Sequence, residues 1–274
     1  MNRRRFVALA GVIFYGAVVS CAPVLDRLAL FPSTYQIDAA GATRALIPFE
    51  DGELEIWAAR SPAAKKTGRA EIFVLRFYGN ADRAEHWVAS EAEMFGGRAV
   101  EVWGVNYPGF GGSTGPARLA RIGPPSLAAY DALKKHAGDR PIYVFGASMG
   151  TTAALHISAQ RQIAGVILHN PPALRQMILR QFGWWNLWLL AGPLSQKVPA
   201  ALDNIANAKA SHAPAIFLLA ENDEVVAPKF QSLVVQAYAG AKRVISLPGA
   251  THNSPITGQA GKDFRAGVDW LFAQ

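Results

Sequence analysis

A single cysteine, Cys21, excludes any disulfide within the chain, so stability must come from a packed core and not from covalent staples. No CxxC pair and no cluster of cysteine and histidine offers a structural metal site, and no cofactor motif is present. Charge is scarce: 17% of the 274 residues are charged against 51% hydrophobic, which excludes a disordered chain and allows one large domain or two small ones. The formal net charge is +7, but Arg3, Arg4 and Arg5 hold three of those charges and the rest form no basic stripe. No nucleic-acid partner is expected from that distribution. Long apolar runs are lacking too. The uncharged stretch Phe6–Ser20 is shorter than the ~20 residues that a membrane-spanning helix needs.

That stretch has a layout of its own. A basic cluster, an apolar run and then Val18-Val19-Ser20-Cys21 follow the order of a secretory signal, residues 1–20, ending at a bacterial lipobox. Cys21 is then the lipidated residue, and the mature protein is an exported, membrane-anchored lipoprotein facing the periplasm or the cell exterior. Arg4-Arg5-Phe6 is loosely compatible with a twin-arginine signal. The alternatives are an uncleaved signal anchor or a buried N-terminal helix with an incidental cysteine.

Residues 21–45 read as linker, with Phe31–Gly41 irregular. Leu46–Phe49 and Leu54–Ala59 flank Glu50-Asp51-Gly52-Glu53 and predict a hairpin. Ser61–Arg69 reads as a polar, solvated loop. Compact apolar runs at Ile72–Phe77, Ala99–Val105, Ile142–Phe145, Ile163–Leu168, Ala215–Ala220 and Val244–Leu247 predict strands buried on both faces. They alternate with helical spacing at Ala81–Phe95, Leu127–His136, Thr151–Gln160, Pro228–Ala239 and Ala260–Phe272. In the first of these helices Trp87, Val88 and Met94 are the candidate core residues. The expected fold class is α/β: a mostly parallel central sheet with an antiparallel N-terminal hairpin and helices on both faces. Asn170–Pro214 is too long for an ordinary crossover. It carries Phe182, Trp184, Trp185, Trp188, Leu189 and Leu190, and predicts a short helical cap over about residues 171–213 of a domain spanning 46–274.

Gly146-Ala147-Ser148-Met149-Gly150 lies between a predicted strand and a predicted helix. Glycines flanking a serine permit a sharp strand-to-helix corner that lifts the hydroxyl above the sheet, beside the positive end of the helix. Serine needs a base to take its proton and an acid to orient that base. The next two strands end in loops containing Asp223 and His252, in the order Ser, Asp, His. Among nearby acids, the stretch Asp223-Glu224-Val225-Val226-Ala227-Pro228 favours Asp223, with Val225 and Val226 turning inward; Glu221 and Glu224 read as solvated. His86 and His156 lie on helices, His136 near a helix end and His212 in the cap, while His169 precedes the acid. For an oxyanion hole, the backbone N–H of Met149 and that of Asn80, after Gly79, are the candidate donors, with Tyr78 the alternative to Asn80.

Together these pieces resemble the α/β-hydrolase superfamily of serine hydrolases, in its Bem46-like and ABHD-type branch. The matching segments are Phe77-Tyr78-Gly79-Asn80-Ala81, Asn106-Tyr107-Pro108-Gly109-Phe110-Gly111-Gly112-Ser113-Thr114-Gly115, the serine motif, the Asp223 loop and Pro248-Gly249-Ala250-Thr251-His252-Asn253. Many relatives have histidine where this chain has Tyr78. The Asn106–Gly115 loop is a structural turn in the family and is given no catalytic role. The resemblance implies cleavage of a carboxylic ester or thioester through a Ser148–His252–Asp223 triad and an acyl-enzyme, without a cofactor. The substrate expected is a small-molecule or lipid acyl compound with an apolar acyl group; the tryptophans and leucines of the cap either offer it a pocket or pack the cap on the sheet, the latter favoured for most of them. Peptide cleavage, acyl transfer to another acceptor, or a membrane-anchored binding protein with an unused triad are the alternatives.

Overall fold

The computed structural model describes residues 26, 30–183 and 191–274. The basic leader, Cys21, and the tryptophans and leucines of 184–190 lie outside the described residues. Among the described residues no helix is long and apolar enough to cross a membrane.

The chain builds one eight-stranded sheet. In chain order its elements are β1 (Thr43–Phe49), β2 (Gly52–Arg60), α1 (Pro62–Thr67), β3 (Ile72–Phe77), α2 (Ala84–Met94), β4 (Val100–Val105), α3 (Gly123–Ala137), β5 (Ile142–Ala147), α4 (Gly150–Gln160), β6 (Gly165–His169), α5 (Leu174–Gly183), α6 (Ala191–Gln196), α7 (Asn204–Ala210), β7 (Ala215–Ala220), α8 (Pro228–Ala237), β8 (Lys242–Leu247) and α9 (Gly258–Phe272). The order across the sheet is β1-β2-β4-β3-β5-β6-β7-β8. β1 and β2 form the hairpin, β2 joins β4 antiparallel, and every later pairing is parallel.

The run Phe73-Val74-Leu75-Arg76-Phe77 shows why the strands are largely apolar, with Arg76 as the one charged residue here, paired with Glu91. Successive side chains of a strand face opposite ways. Phe73, Leu75 and Phe77 enter the core shared with α3 and α4, where Leu133, Leu155 and Ile157 are buried. Val74 enters the opposite core, with Val88 of α2 and Phe264, Val268 and Leu271 of α9. Both faces are covered, so neither has a polar row.

Three expectations change at this level. Ser61–Arg69 is not a loop throughout: Ser61 caps α1 by accepting the Ala64 N–H, Pro62 opens the helix and Gly68 closes it at φ 70°. Val88 is buried, but Trp87 and Met94 are 48% and 50% exposed, because α2 turns Ala84, Glu85, Val88 and Ala92 to the body and leaves the opposite stripe outside. The Trp87 ring N–H instead donates to Asp82 Oδ1 at 2.8 Å. Finally, part of the long insertion is ordinary framework: α7 packs against α4 and α8 and returns the chain to β7.

Residues 30–35 are not free linker. Leu30 is buried in the main core. The Ser33 carbonyl accepts from Gly111 N at 2.9 Å and from Arg83, and the Tyr35 carbonyl accepts from Arg83 at 2.6 Å.

Candidate active site

Ser148 sits at the corner between β5 and α4 with φ 50°, the left-handed region that a non-glycine residue enters only where its surroundings compel it. The corner is held on both sides. Ser148 N–H donates to the His169 carbonyl at 2.8 Å, and the Ser148 carbonyl accepts from Thr151 N–H at 3.0 Å. The flanking glycines are required by close approach: a Cβ on Gly146 would stand 2.6 Å from Thr151 Cα, and one on Gly150 would stand 2.7 Å from the Tyr78 carbonyl oxygen.

Asp223 and His252 arrive from the loops after β7 and β8. His252 Nε2 lies 2.9 Å from Ser148 Oγ and His252 Nδ1 lies 2.8 Å from Asp223 Oδ2. The Asp223 carboxylate is fully buried, and its other oxygen accepts from Val225 N–H at 2.9 Å and Val226 N–H at 2.7 Å. Val226 is buried, but Val225 is 53% exposed, contrary to the expectation that both turn inward. Glu221 and Glu224 are exposed; Glu224 accepts the His252 backbone N–H at 3.3 Å. No ring of the remaining histidines joins this hydrogen-bonded series, and His212 lies in the segment between α7 and β7.

Two supporting residues escaped the sequence reading. Gln231 of α8 donates to Asp223 Oδ2 at 3.0 Å and to the Val226 carbonyl at 2.7 Å, which fixes the acid loop from below. A glutamine on the same helical stripe as Val234 and Val235 was the available signal. Asn170, also at positive φ, donates to the His252 carbonyl at 3.2 Å and accepts from Ala220 N–H at 2.9 Å, joining the ends of β6 and β7 to the histidine loop.

The amides of Met149 and Asn80 donate to no other described residue. Gly79 brings the Asn80 loop against the nucleophile: a Cβ there would lie 3.5 Å from Ser148 Cβ. Tyr78 turns its side chain away, donating its hydroxyl to Glu91 Oε2 at 2.9 Å. Burial, and then the Glu91 carboxylate, raises the Tyr78 phenol well above its ordinary value. Arg76 pairs with the same Glu91 at 2.8 Å and stacks over the Phe145 ring.

The glycine-rich loop organises a buried polar cluster. Asn106 donates to Glu55 at 2.7 Å and to Glu85 at 2.8 Å, and accepts from Ala84 N–H at 2.9 Å. Glu55 also accepts from Arg44 and from Gly112 N–H, and Glu85 pairs with the buried Arg83. Burial alone would raise the Glu55 carboxyl, but the bonds from Gly112, Arg44 and Asn106 outweigh it and hold it below its ordinary value. Gly112 is needed here, since its Cβ would meet Glu55 Oε1 at 2.7 Å.

His169, whose carbonyl fixes Ser148, has a buried Nε2 with no partner. Burial first, then the charges of Arg76 and His252, lower this imidazole to about 4. A histidine depressed in the folded state stabilises above its unfolded value of about 6.5, and that contribution falls as pH drops toward 4. Between pH 7.5 and 4.5, urea unfolding of His169→Leu is therefore expected to show roughly 2–3 kcal/mol less acid destabilisation than the parent. Equal losses in the two proteins would remove His169 as an acid-sensitive element.

The sheet order, with a serine corner and with the acid and histidine loops at strand ends, is that of the α/β-hydrolase fold. A model of the alpha/beta hydrolase fold family matches residues 78–197. An uncharacterized protein of Mycobacterium tuberculosis is 26% identical over 259 residues, covering 91% of this chain and 88% of that protein. The bem46 protein of Schizosaccharomyces pombe is 27% identical over 191 residues, covering 68% of this chain and 62% of that protein, so the likeness to Bem46 read in the motifs extends well beyond them. Among solved structures, an esterase of Pyrococcus furiosus superposes with a TM-score of 0.65 at 16% identity, over 89% of this chain and 97% of that one.

Proposed function

We propose that the protein is a serine hydrolase that cleaves a carboxylic ester or thioester with an apolar acyl group. The observation that carries this reading is the continuous hydrogen-bonded series Ser148 Oγ, His252 Nε2, His252 Nδ1 and Asp223 Oδ2. Asp223, buried and already bonded to two backbone N–H groups, holds the imidazole with Nδ1 protonated, which leaves Nε2 as the base. Ser148 Oγ attacks the acyl carbon as its proton passes to Nε2, and the N–H groups of Met149 and Asn80 receive the oxyanion. Collapse breaks the bond to the leaving alcohol or thiol, which takes the proton from His252. Water then attacks the acyl-enzyme by the same route and releases the acid.

The acyl assignment draws on a cavity of about 530 Å³ between α5 and the residues that follow Asp223. Leu174, Met177, Ile178, Val225, Ala227 and Phe230 give it an apolar part, Arg180, Glu224 and Lys229 add charge, and its volume is within the size range of small-molecule sites. From the basic cluster, the apolar run and Val18-Val19-Ser20-Cys21 we further propose export and anchoring through lipid on Cys21; the mass of the mature chain tests that part, and an intact Met1 with unmodified Cys21 overturns it.

The activity is tested with a fluorophosphonate probe and a panel of p-nitrophenyl esters, thioesters and peptides. Labelling at Ser148 and turnover of esters or thioesters of apolar acids are the expected outcome. Folded protein that takes no label favours the binding-protein alternative, and cleavage of peptides alone replaces the ester assignment.

A further inference from the structure

The oxyanion loop is tied at its ends but has one tie at its tip. At its start, Tyr78 is bonded to Glu91. At its far end, Asp82 accepts from Trp87 at 2.8 Å and lies 3.2 Å from His86 Nδ1. Between them, Ala81 takes φ 66°, a left-handed conformation that needs outside support. The tip residue is Asn80, and its Oδ1 accepts the backbone N–H of Phe31 at 2.9 Å. The two residues are 49 positions apart, so this tie is tertiary and not part of the turn.

Phe31 is itself fixed in place. Leu30, immediately before it, is anchored in the main core, and its N–H donates to the Asp26 carbonyl at 2.9 Å. The Asp26 carboxylate in turn accepts Leu119 N–H at 2.9 Å. Beyond Phe31, the carbonyls of Ser33 and Tyr35 are gripped by Arg83, whose guanidinium lies over the Tyr35 ring and pairs with buried Glu85. The Phe31 side chain is 57% exposed, so packing of the ring does not account for the position of its amide. A donor held on both sides and aimed at one side-chain oxygen sets where the Asn80 backbone stands.

We propose that the strap Leu30–Tyr35 is a positioning element for the oxyanion hole, acting through the Phe31 N–H on Asn80 Oδ1 so that the Asn80 N–H faces the Ser148 corner. The proposal rests on the hydrolase reading above and adds to it a segment outside the triad loops. A donor displaced from the oxyanion weakens binding of the transition state more than binding of the substrate, because the ground-state carbonyl makes little demand on it. Loss of the tie therefore lowers kcat and leaves KM nearly unchanged.

Two substitutions remove the tie from opposite sides. Asn80→Ala deletes the acceptor and keeps the backbone N–H that serves the oxyanion. Phe31→Pro deletes the donor. In the full-length protein each is expected to lower kcat for a p-nitrophenyl ester about tenfold with KM within about twofold, since a single hydrogen bond is at stake. The double variant is expected to be no slower than the slower single, because both remove the same bond. Additive losses, or losses accompanied by a matching rise in KM, mean that the two residues act separately and overturn the proposal. Turnover that depends on Ser148 but is unaffected by Asn80→Ala also overturns it while leaving the hydrolase reading intact. Absence of Ser148-dependent turnover in the parent defeats both. Should Phe31→Pro lower Tm substantially, the kcat and KM of Asn80→Ala decide the matter alone.

Discussion

Ser148→Ala and His252→Ala are each expected to lower kcat by a factor on the order of 10⁴–10⁶ while leaving Tm close to that of the parent. The size follows from how the site is built. Among the described residues Ser148 Oγ has one base within reach, His252 Nε2 at 2.9 Å, and that base has one orienting carboxylate at 2.8 Å. Removing either partner ends nucleophilic catalysis, and the residual rate comes from binding and the oxyanion donors alone. Asp223→Asn is expected to cost about 10⁴, because an amide stabilises the wrong imidazole tautomer while filling the same space. The three single variants and the combined variant are expected to be far from additive, as members of one unit. Steady-state turnover and fluorophosphonate labelling of the same preparations measure this. Substantial turnover by His252→Ala would remove the triad assignment, whatever the geometry.

The second large effect concerns stability. Glu85→Ala is expected to lower the free energy of unfolding by about 3–5 kcal/mol, read from urea denaturation at neutral pH. Glu85 and Arg83 are each 3% exposed at their side chains, and Asn106 uses one of its N–H groups on Glu85. Deleting the carboxylate leaves a guanidinium without its counter-charge in a place that water does not reach. Replacing the pair together, as Arg83→Leu with Glu85→Leu, is expected to cost less than Glu85→Ala alone, since no uncompensated charge remains. A loss below about 1 kcal/mol for Glu85→Ala would show that the cluster is hydrated in solution and contributes little.

The same two regions mark what sequence reasoning reaches. Strands such as Ile72–Phe77 and Ala215–Ala220 are legible to the residue, because burial on both faces leaves a compact apolar run, broken in the first only by Arg76. β8 begins two residues before its apolar run, since Lys242 and Arg243 are exposed at the edge of the sheet and carry no apolar signal. The meeting of Ser148, Asp223 and His252 was foreshadowed by position: each follows a strand, and parallel strands deliver their trailing loops to one end. The polar cluster was not foreshadowed. Glu55 and Asn106 are 51 positions apart, and Phe31 and Asn80 are 49 apart; a single hydrogen bond between distant loops leaves no periodicity to detect. Helix phase was the other failure. A turn through Ala81–Arg83 sets where α2 begins, and that decided that Val88 and not Trp87 would face the sheet.

The cavity beside the acid loop has two walls of different origin. Leu174, Met177 and Ile178 come from the insertion after β6, whereas Val225, Ala227 and Phe230 follow directly on Asp223 in the framework. No member of the triad lies in the insertion, and α7 restores the chain to β7 whatever precedes it. One wall thus belongs to the insertion, while the other is continuous with the loop that carries the acid. Under the proposed function, replacing residues of the insertion alone is therefore expected to change which acyl groups are accepted, with Ser148, Asp223 and His252 left in place.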